Sequence, residues 1–313
     1  MQMVNAAIQV MAYLALGYTC LKVKWCSQSA LGAITKIVIN VALPCLIVDS
    51  MMVPFEMEKL NQGFLSVIMV VLILAVCGVC GIFWSKLLKP GDRQHQSIIR
   101  VGLLYNNFML VGVPIIEAAL GAEGIFYTGL MGLPQRATMF ILLPIIYGSV
   151  AEGEYHEEFH WKMLLQIPTL AIFVGLFMFV TQIQFPEVVR DSLKELGGMT
   201  MPLGMMLAGM QLADVDLGEL LRDKTVPVVL LIKNMINPFI ILILLSVLRF
   251  PTILIQLGTI YAAVPSPAMM VVYAARYRIH AGYAGAIMCL STICSAVTLP
   301  FWSYIVTTFV PLI

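Results

Sequence analysis

The sequence predicts an all-α polytopic membrane protein: ten transmembrane helices, arranged as two inverted five-helix repeats. Three observations carry this expectation. The 313 residues are 60% hydrophobic and 11% charged, with a mean hydropathy of +0.94, and so few charges cannot cover the surface of a soluble domain. Apolar windows long enough to cross a bilayer recur along the whole chain. The longest polar link, AEGEYHEEFHW from Ala151 to Trp161, leaves five such windows on each side, and an odd number of spans per half turns the second half over relative to the first. The expected units are residues 1–150, a cytoplasmic link at 151–161 and residues 162–313.

The spans follow in order. The first, at 4–23, has no basic leader and no A-x-A site, so it reads as a retained helix and not as a signal peptide. The second, 31–52, carries NVALPCLI with Pro44; the third, 63–85, carries Cys77-x-x-Cys80. That pair lacks a second ligand pair in an apolar window, and reads with the other membrane cysteines as small apolar filler, so no metal is expected. The fourth, 97–119, contains NNFMLVGVP from Asn106 to Pro114, and the fifth, 124–149, contains Pro134-Gln135-Arg136. After the link come 162–182 and then 193–213, which carries GMTMPLGM with Pro202 and ends near Gln211. The eighth, 225–248, holds Lys233, Asn234, Asn237 and Pro238; the ninth, 252–275, holds AAVPSP; the tenth is 282–309.

Lysine and arginine set the orientation. One set of alternate loops carries Lys22, Lys24, Lys36, Lys86, Lys89, Arg93, Arg100, Lys162, Arg222, Lys224, Arg276 and Arg278; the other carries only Lys59, Arg190, Lys194 and Arg249. The first set is expected in the cytoplasm, which puts both termini of a plasma-membrane protein outside. The net charge of +1, without a basic run, gives no sign of a nucleic-acid partner.

The fourth span of each half is interrupted. Pro265 and Pro267 together predict a break at Val264–Pro267, and Gly112 with Pro114 predicts one at Val111–Pro114. Freed backbone groups are costly in hydrocarbon, so breaks belong where they face a cavity or each other. Two broken helices meeting near the midplane would aim the N-terminal ends of their second halves at one point. Such ends carry partial positive charge and unpaired N–H groups, which suits an anion. Asn107 would stand beside them as a neutral donor and acceptor, while Asn106 reads equally as a bridge between helices.

Arg136 lies near the middle of the fifth span. A charge there costs about 2.5–3.5 kcal/mol on insertion scales, and Asp49, Glu117 and Asp214 all lie toward helix ends. Two readings stand: the missing partner is an anionic substrate, or the carbonyls of the broken helices hold the guanidinium. Lys233 and Asn237, four apart, share a face; Lys233 either snorkels inward or joins the site, and Asn237 either joins it or satisfies carbonyls freed by Pro238. Gln211 is a further candidate from the seventh span.

These segments resemble a known family. Asn107-Phe-Met-Leu-Val-Gly112-Val-Pro114 is similar to the N-x-x-x-x-G-I-P segment of the auxin efflux carrier family, which includes plant auxin exporters and bacterial permeases for malate or malonate. AAVPSPAMMVVYAARYRIH (Ala262–His280) resembles its ninth helix, STICSAVTLPFW (Ser291–Trp302) its tenth, and VALPCLI and PLGMMLAGMQLAD its second and seventh. The resemblance implies a fold of the bile-acid sodium symporter kind. Helices 1, 2, 6 and 7 would form a scaffold and dimer surface, helices 3–5 and 8–10 a unit moving in an elevator manner, and helices 4 and 9 would cross at the site. It assigns substrate contact to Asn107, Gly112, Pro114, Pro265 and Ser266. The short central link resembles the microbial members. Two departures concern the substrate: Met269 and Met270 follow the ninth-helix crossing where many bacterial members have asparagine, and Gln135-Arg136 stand where many have phenylalanine-asparagine.

The leading expectation is a secondary or potential-driven transporter of a small mono- or dicarboxylate. No nucleotide-binding loop and no cofactor motif are present. An inside-negative potential favours anion exit by about 2.3 kcal/mol per charge per 100 mV, so export needs no coupling ion, whereas uptake needs sodium or a proton. The competing classes are a membrane sensor for a carboxylate and an intramembrane enzyme. His95, His156, His160 and His280 all fall in loops or at helix ends, which leaves an enzyme without a midplane base.

Overall fold

Proline and glycine decide where the helices bend. A computed structural model describes residues 2–88, 91–151, 166–183, 185–213 and 223–310, and every regular element among them is a helix. The first half holds α1 (Gln2–Lys22), α2 (Gln28–Ile37), α3 (Leu43–Met51), α4 (Met57–Leu87), α5 (Arg93–Leu104) and α6 (Val113–Gly148). The second holds α7 (Ile167–Thr181), α8 (Glu187–Gly198), α9 (Thr200–Ala213), α10 (Thr225–Leu231), α11 (Asn237–Val247), α12 (Thr252–Ala263), α13 (Met269–Arg276) and α14 (Ala281–Phe309). Among the described residues, five stretches are long and apolar enough to cross a membrane: Ser29–Met51, Met57–Leu87, Arg93–Gly148, Thr225–Val247 and Ala281–Phe309; Ile167–Thr181 and Thr252–Ala263 are shorter apolar helices. Beyond Ala151, the central link lies outside the described residues.

Three prolines are absorbed by a widened turn. Pro44, Pro114 and Pro238 each stand second in an α-segment, directly after a five-residue π-helical turn: Val38–Ala42, Phe108–Gly112 and Ile232–Ile236. Proline has no N–H and crowds the carbonyl four residues back. One wider turn relieves both problems while the helix continues.

The fourth and ninth spans do break. The chain is non-helical from Tyr105 to Asn107 and again from Val264 to Pro267. The first break is not at Val111–Pro114, where Gly112 keeps helical φ and ψ of −67° and −51°. The π-turn accommodates Pro114, and the chain opens one to two turns earlier, at the asparagines. The expected 193–213 span is likewise divided, into α8 and α9 at Met199. The boundary between the fourth and fifth spans falls at Gly121, whose φ of +62° only glycine adopts readily.

The helices pack in two groups. α1 lies along α9, and α3 lies between α7 and α8; α4 packs on α5 and α6, and α12 on α11 and α14. α6 touches both groups, through α3 and α9 on one side and α4 on the other. The α1–α9 contact is close enough that a Cβ on Gly17 would overlap the Met206 carbonyl, and one on Gly209 the Leu14 carbonyl. Small residues let membrane helices approach backbone to backbone. Gly209→Ala is therefore expected to cost about 1–3 kcal/mol through overpacking, read as a lower melting temperature in detergent. Gly285→Ala, in α14 with open space around its Cβ, serves as the control and is expected to melt no lower than wild type.

At the start of α5, Asp92 caps the helix by accepting the His95 backbone N–H at 2.8 Å. Partial burial of the carboxyl raises its pKa. The His95 amide and the His280 and His95 rings outweigh that and hold it well below the usual carboxylate range.

Candidate functional site

Helix ends leave carbonyls without partners, and inside a membrane each needs one from elsewhere. At the end of α5 the partners are four side chains from elsewhere in the chain. Gly102 O accepts from Ser266 Oγ at 2.9 Å, and Leu103 O from Asn237 Nδ2 at 3.4 Å. Tyr105 O accepts from Lys233 Nζ at 2.9 Å, and Asn106 O from Gln135 Nε2 at 2.9 Å. Asn106 completes the network: its Oδ1 accepts a second bond from Lys233, and its Nδ2 donates to Tyr261 O at 2.9 Å.

The second interruption meets the first directly. Asn107 N donates to Pro265 O at 2.8 Å, an acceptor that no helix uses once the chain has opened at Val264. Ser266 N donates to Ser291 Oγ of α14 at 3.1 Å. The Ile232–Ile236 turn, which positions Lys233, is held in turn by Trp302 Nε1 donating to Asn234 O at 2.8 Å.

Beside this junction lies a cavity of about 370 Å³, toward the small end of the roughly 300–1,000 Å³ usual for small-molecule pockets. It is bounded by Thr35 and Ile39 near the end of α2, by Asn106–Leu110, by one face of α6, by Gln166 and Pro168 at the start of α7, and by Pro267–Met269. Both helical segments that restart after the interruptions, at Phe108 and Met269, therefore begin at its wall. The N–H groups of a helix's first turn have no acceptors within the helix, and its end carries partial positive charge.

Arg136 enters this cavity from α6 and is 7% exposed. Its Nη1 donates to Thr169 Oγ1 of α7 at 2.8 Å, while Nε and Nη2 are buried without a hydrogen-bond partner among the described residues. These two nitrogens form one edge of the guanidinium plane. Gly132, one turn earlier, lines the same cavity, and a Cβ there would lie 3.2 Å from Nη2. None of the residues lining the cavity is acidic.

Asn106, Asn107, Gln135, Arg136 and Met269, named from sequence, thus line one cavity. The Asn107 side chain makes no hydrogen bond among the described residues. Others named from sequence lie outside its lining. Lys233, 1% exposed, is spent on the α5 carbonyl end and reaches neither the cavity nor an interface. Asn237 and Ser266 are spent on Leu103 O and Gly102 O. Gly112 packs on Phe108 and Val264, Pro114 packs near Gly204, and Pro265 contributes its carbonyl to Asn107. The Gln211 side chain lies outside the described residues.

Sequence reading passed over Thr35, Gly132, Gln166 and Thr169. Gly132 carries a signal, standing four before Arg136 on the same helical face. The others arrive from α2 and α7 through packing alone.

The chain matches the family described as "Membrane transport protein" over residues 2–303. No curated protein matches it.

Proposed function

The chain belongs to this membrane transport protein family, the auxin efflux carrier family of its motifs, and from that premise we propose that it carries a small organic anion through the Arg136 cavity. The observation that carries the reading is the free edge of a buried guanidinium. Arg136 is permanently charged, lies in a membrane helix and is paired with no acid among the lining residues. Nε–H and Nη2–H point in parallel from one edge, which is the arrangement that takes a carboxylate through two hydrogen bonds at once. The helix starts at Phe108 and Met269, in the same cavity wall, add partial positive charge. Asn107 offers a neutral donor and acceptor for a hydroxyl or a second carboxylate oxygen. Mono- and dicarboxylates of the malonate or malate size suit a cavity of this volume.

In this reading α4–α6 and α10–α14 move as the transport unit against a scaffold of α1–α3 and α7–α9. The scaffold also forms a homodimer surface, and both termini face outward. The bond from Arg136 to Thr169 then crosses between the two groups. It reports the position of the transport unit and must break as the unit slides. A screen of mono- and dicarboxylates by thermal shift tests the ligand class: anions of this class raise the melting temperature and neutral amide analogues do not. Equal shifts from acid and amide would remove the electrostatic basis of the proposal.

Gly132 leaves room beside the guanidinium edge, where a Cβ would lie 3.2 Å from Nη2. Gly132→Ala is expected to weaken carboxylate binding by about tenfold, the equivalent of one net hydrogen bond of about 1.5 kcal/mol. The empty protein should melt no lower, since alanine is the better helix former. Titration of the ligand by calorimetry on both proteins checks this. Unchanged affinity would mean that the ligand does not use this edge.

A further inference from the structure

At the start of α5, three side chains from two distant parts of the chain converge. Asp92 and His95 open α5, and His280 directly precedes α14, 188 residues from Asp92. His95 Nδ1 lies 2.9 Å from Asp92 Oδ1, and His280 Nε2 lies 2.8 Å from Asp92 Oδ2. One donor atom from each residue lies within 4.8 Å of the others. The two imidazoles stack with centroids 4.1 Å apart at 35°. Tyr283 packs edge-on to His95 at 4.6 Å, and its hydroxyl is anchored to Thr225 Oγ1 at 2.7 Å. The cluster is therefore supported from behind, and the Asp92 and His280 side chains are 49% and 44% exposed, which gives an ion access.

We propose that Asp92, His95 and His280 form a binding site for a borderline transition-metal ion such as Zn²⁺, which fastens the start of α5 to the turn between α13 and α14. Two imidazole nitrogens and one carboxylate oxygen are a ligand set for an open four-coordinate site, with water in the fourth place. Bonds of about 2.0–2.1 Å would set donor atoms about 3.3–3.4 Å apart. With Oδ1 as the ligating oxygen, its 2.9 Å contact with His95 Nδ1 lengthens by about half an ångström, and His280 Nε2 leaves Oδ2 for the ion. Each ring moves its remaining proton to its other nitrogen, so neutral histidines bind the ion with no net loss of protons. Two nitrogens with a single carboxylate do not suit Mg²⁺ or Ca²⁺, which need shells of oxygen. Two helix N-termini, with Arg93 and Arg278 next to the cluster in sequence, oppose a cation here and leave imidazole bonding to select the ion. α5 leads to the first interruption and α13 away from the second, so the ion ties the outer ends of the two segments that flank the cavity.

The test uses tag-free full-length protein in detergent, with Zn²⁺ in thermal melts and calorimetry and Co²⁺ as a visible-absorption probe. One Zn²⁺ per chain should bind and raise the melting temperature, Mg²⁺ should do neither, and Co²⁺ should show the intense bands of a four-coordinate site. His95→Gln and His280→Gln should each weaken Zn²⁺ binding at least about tenfold. Asp92→Ser should do the same while its hydroxyl keeps the helix cap. Absence of saturable binding, or unchanged affinity in all three variants, would overturn the site. None of these readouts depends on transport.

Discussion

Arg136→Gln is expected to lose the thermal shift produced by carboxylates while remaining folded. Among the described residues the guanidinium has one protein partner, Thr169 Oγ1, and two buried nitrogens with none. In the empty protein the substitution gives up one hydrogen bond of about 1 kcal/mol. It also removes a membrane charge that costs about 2.5–3.5 kcal/mol. The empty variant should therefore melt at or above the wild-type temperature. In the bound protein it gives up two charge-assisted bonds of about 1.5–3 kcal/mol each, so affinity should fall at least about a hundredfold. Arg136→Lys keeps the charge but loses the two-pronged edge, and should fall between wild type and Arg136→Gln. A drop in the melting temperature of empty Arg136→Gln, with the ligand shift intact, would instead assign the arginine a structural role.

Lys233→Met is expected to behave in the opposite way. Lys233 is buried as deeply as Arg136, but its ammonium is occupied by Tyr105 O and Asn106 Oδ1. It also stands at the carbonyl end of α5, where a helix carries partial negative charge. Methionine fills the space and donates nothing. Each acceptor left unsatisfied costs about 1–3 kcal/mol, and release of the buried charge returns part of this. A net loss of about 2–4 kcal/mol should lower the melting temperature of the empty protein. The increment added by a saturating carboxylate should survive in whatever fraction remains folded. A Lys233→Met protein as stable as wild type would mean that the first interruption does not depend on this cation.

The two buried cations show what the sequence makes legible. Both stand out as charges in apolar spans. Arg136 could be assigned a missing partner because no acid lies at its depth. The occupation of Lys233 could not be read, because its partners are 127 and 128 residues away and become acceptors only once α5 has opened. The helix interruptions divide in the same way. Pro265 and Pro267 lie two apart, and no single wider turn absorbs both, so that break is visible locally. Pro114 stands alone and is absorbed by a π-turn, so the break moved to Tyr105–Asn107. There the asparagines, Gln135 and Lys233 supply the lost hydrogen bonds. The α1–α9 contact was also hidden, since Gly17 and Gly209 matter only because each faces a backbone carbonyl of the other helix.

The central claim is that Arg136 pairs with a transported anion. Flux of radiolabelled mono- and dicarboxylates into proteoliposomes tests it most directly, with wild type and Arg136→Gln reconstituted side by side. The expected result is saturable flux of at least one carboxylate through wild type, responsive to an imposed membrane potential, and none above empty liposomes through Arg136→Gln. Equal carboxylate flux through both proteins, or wild-type flux confined to neutral solutes, would contradict it.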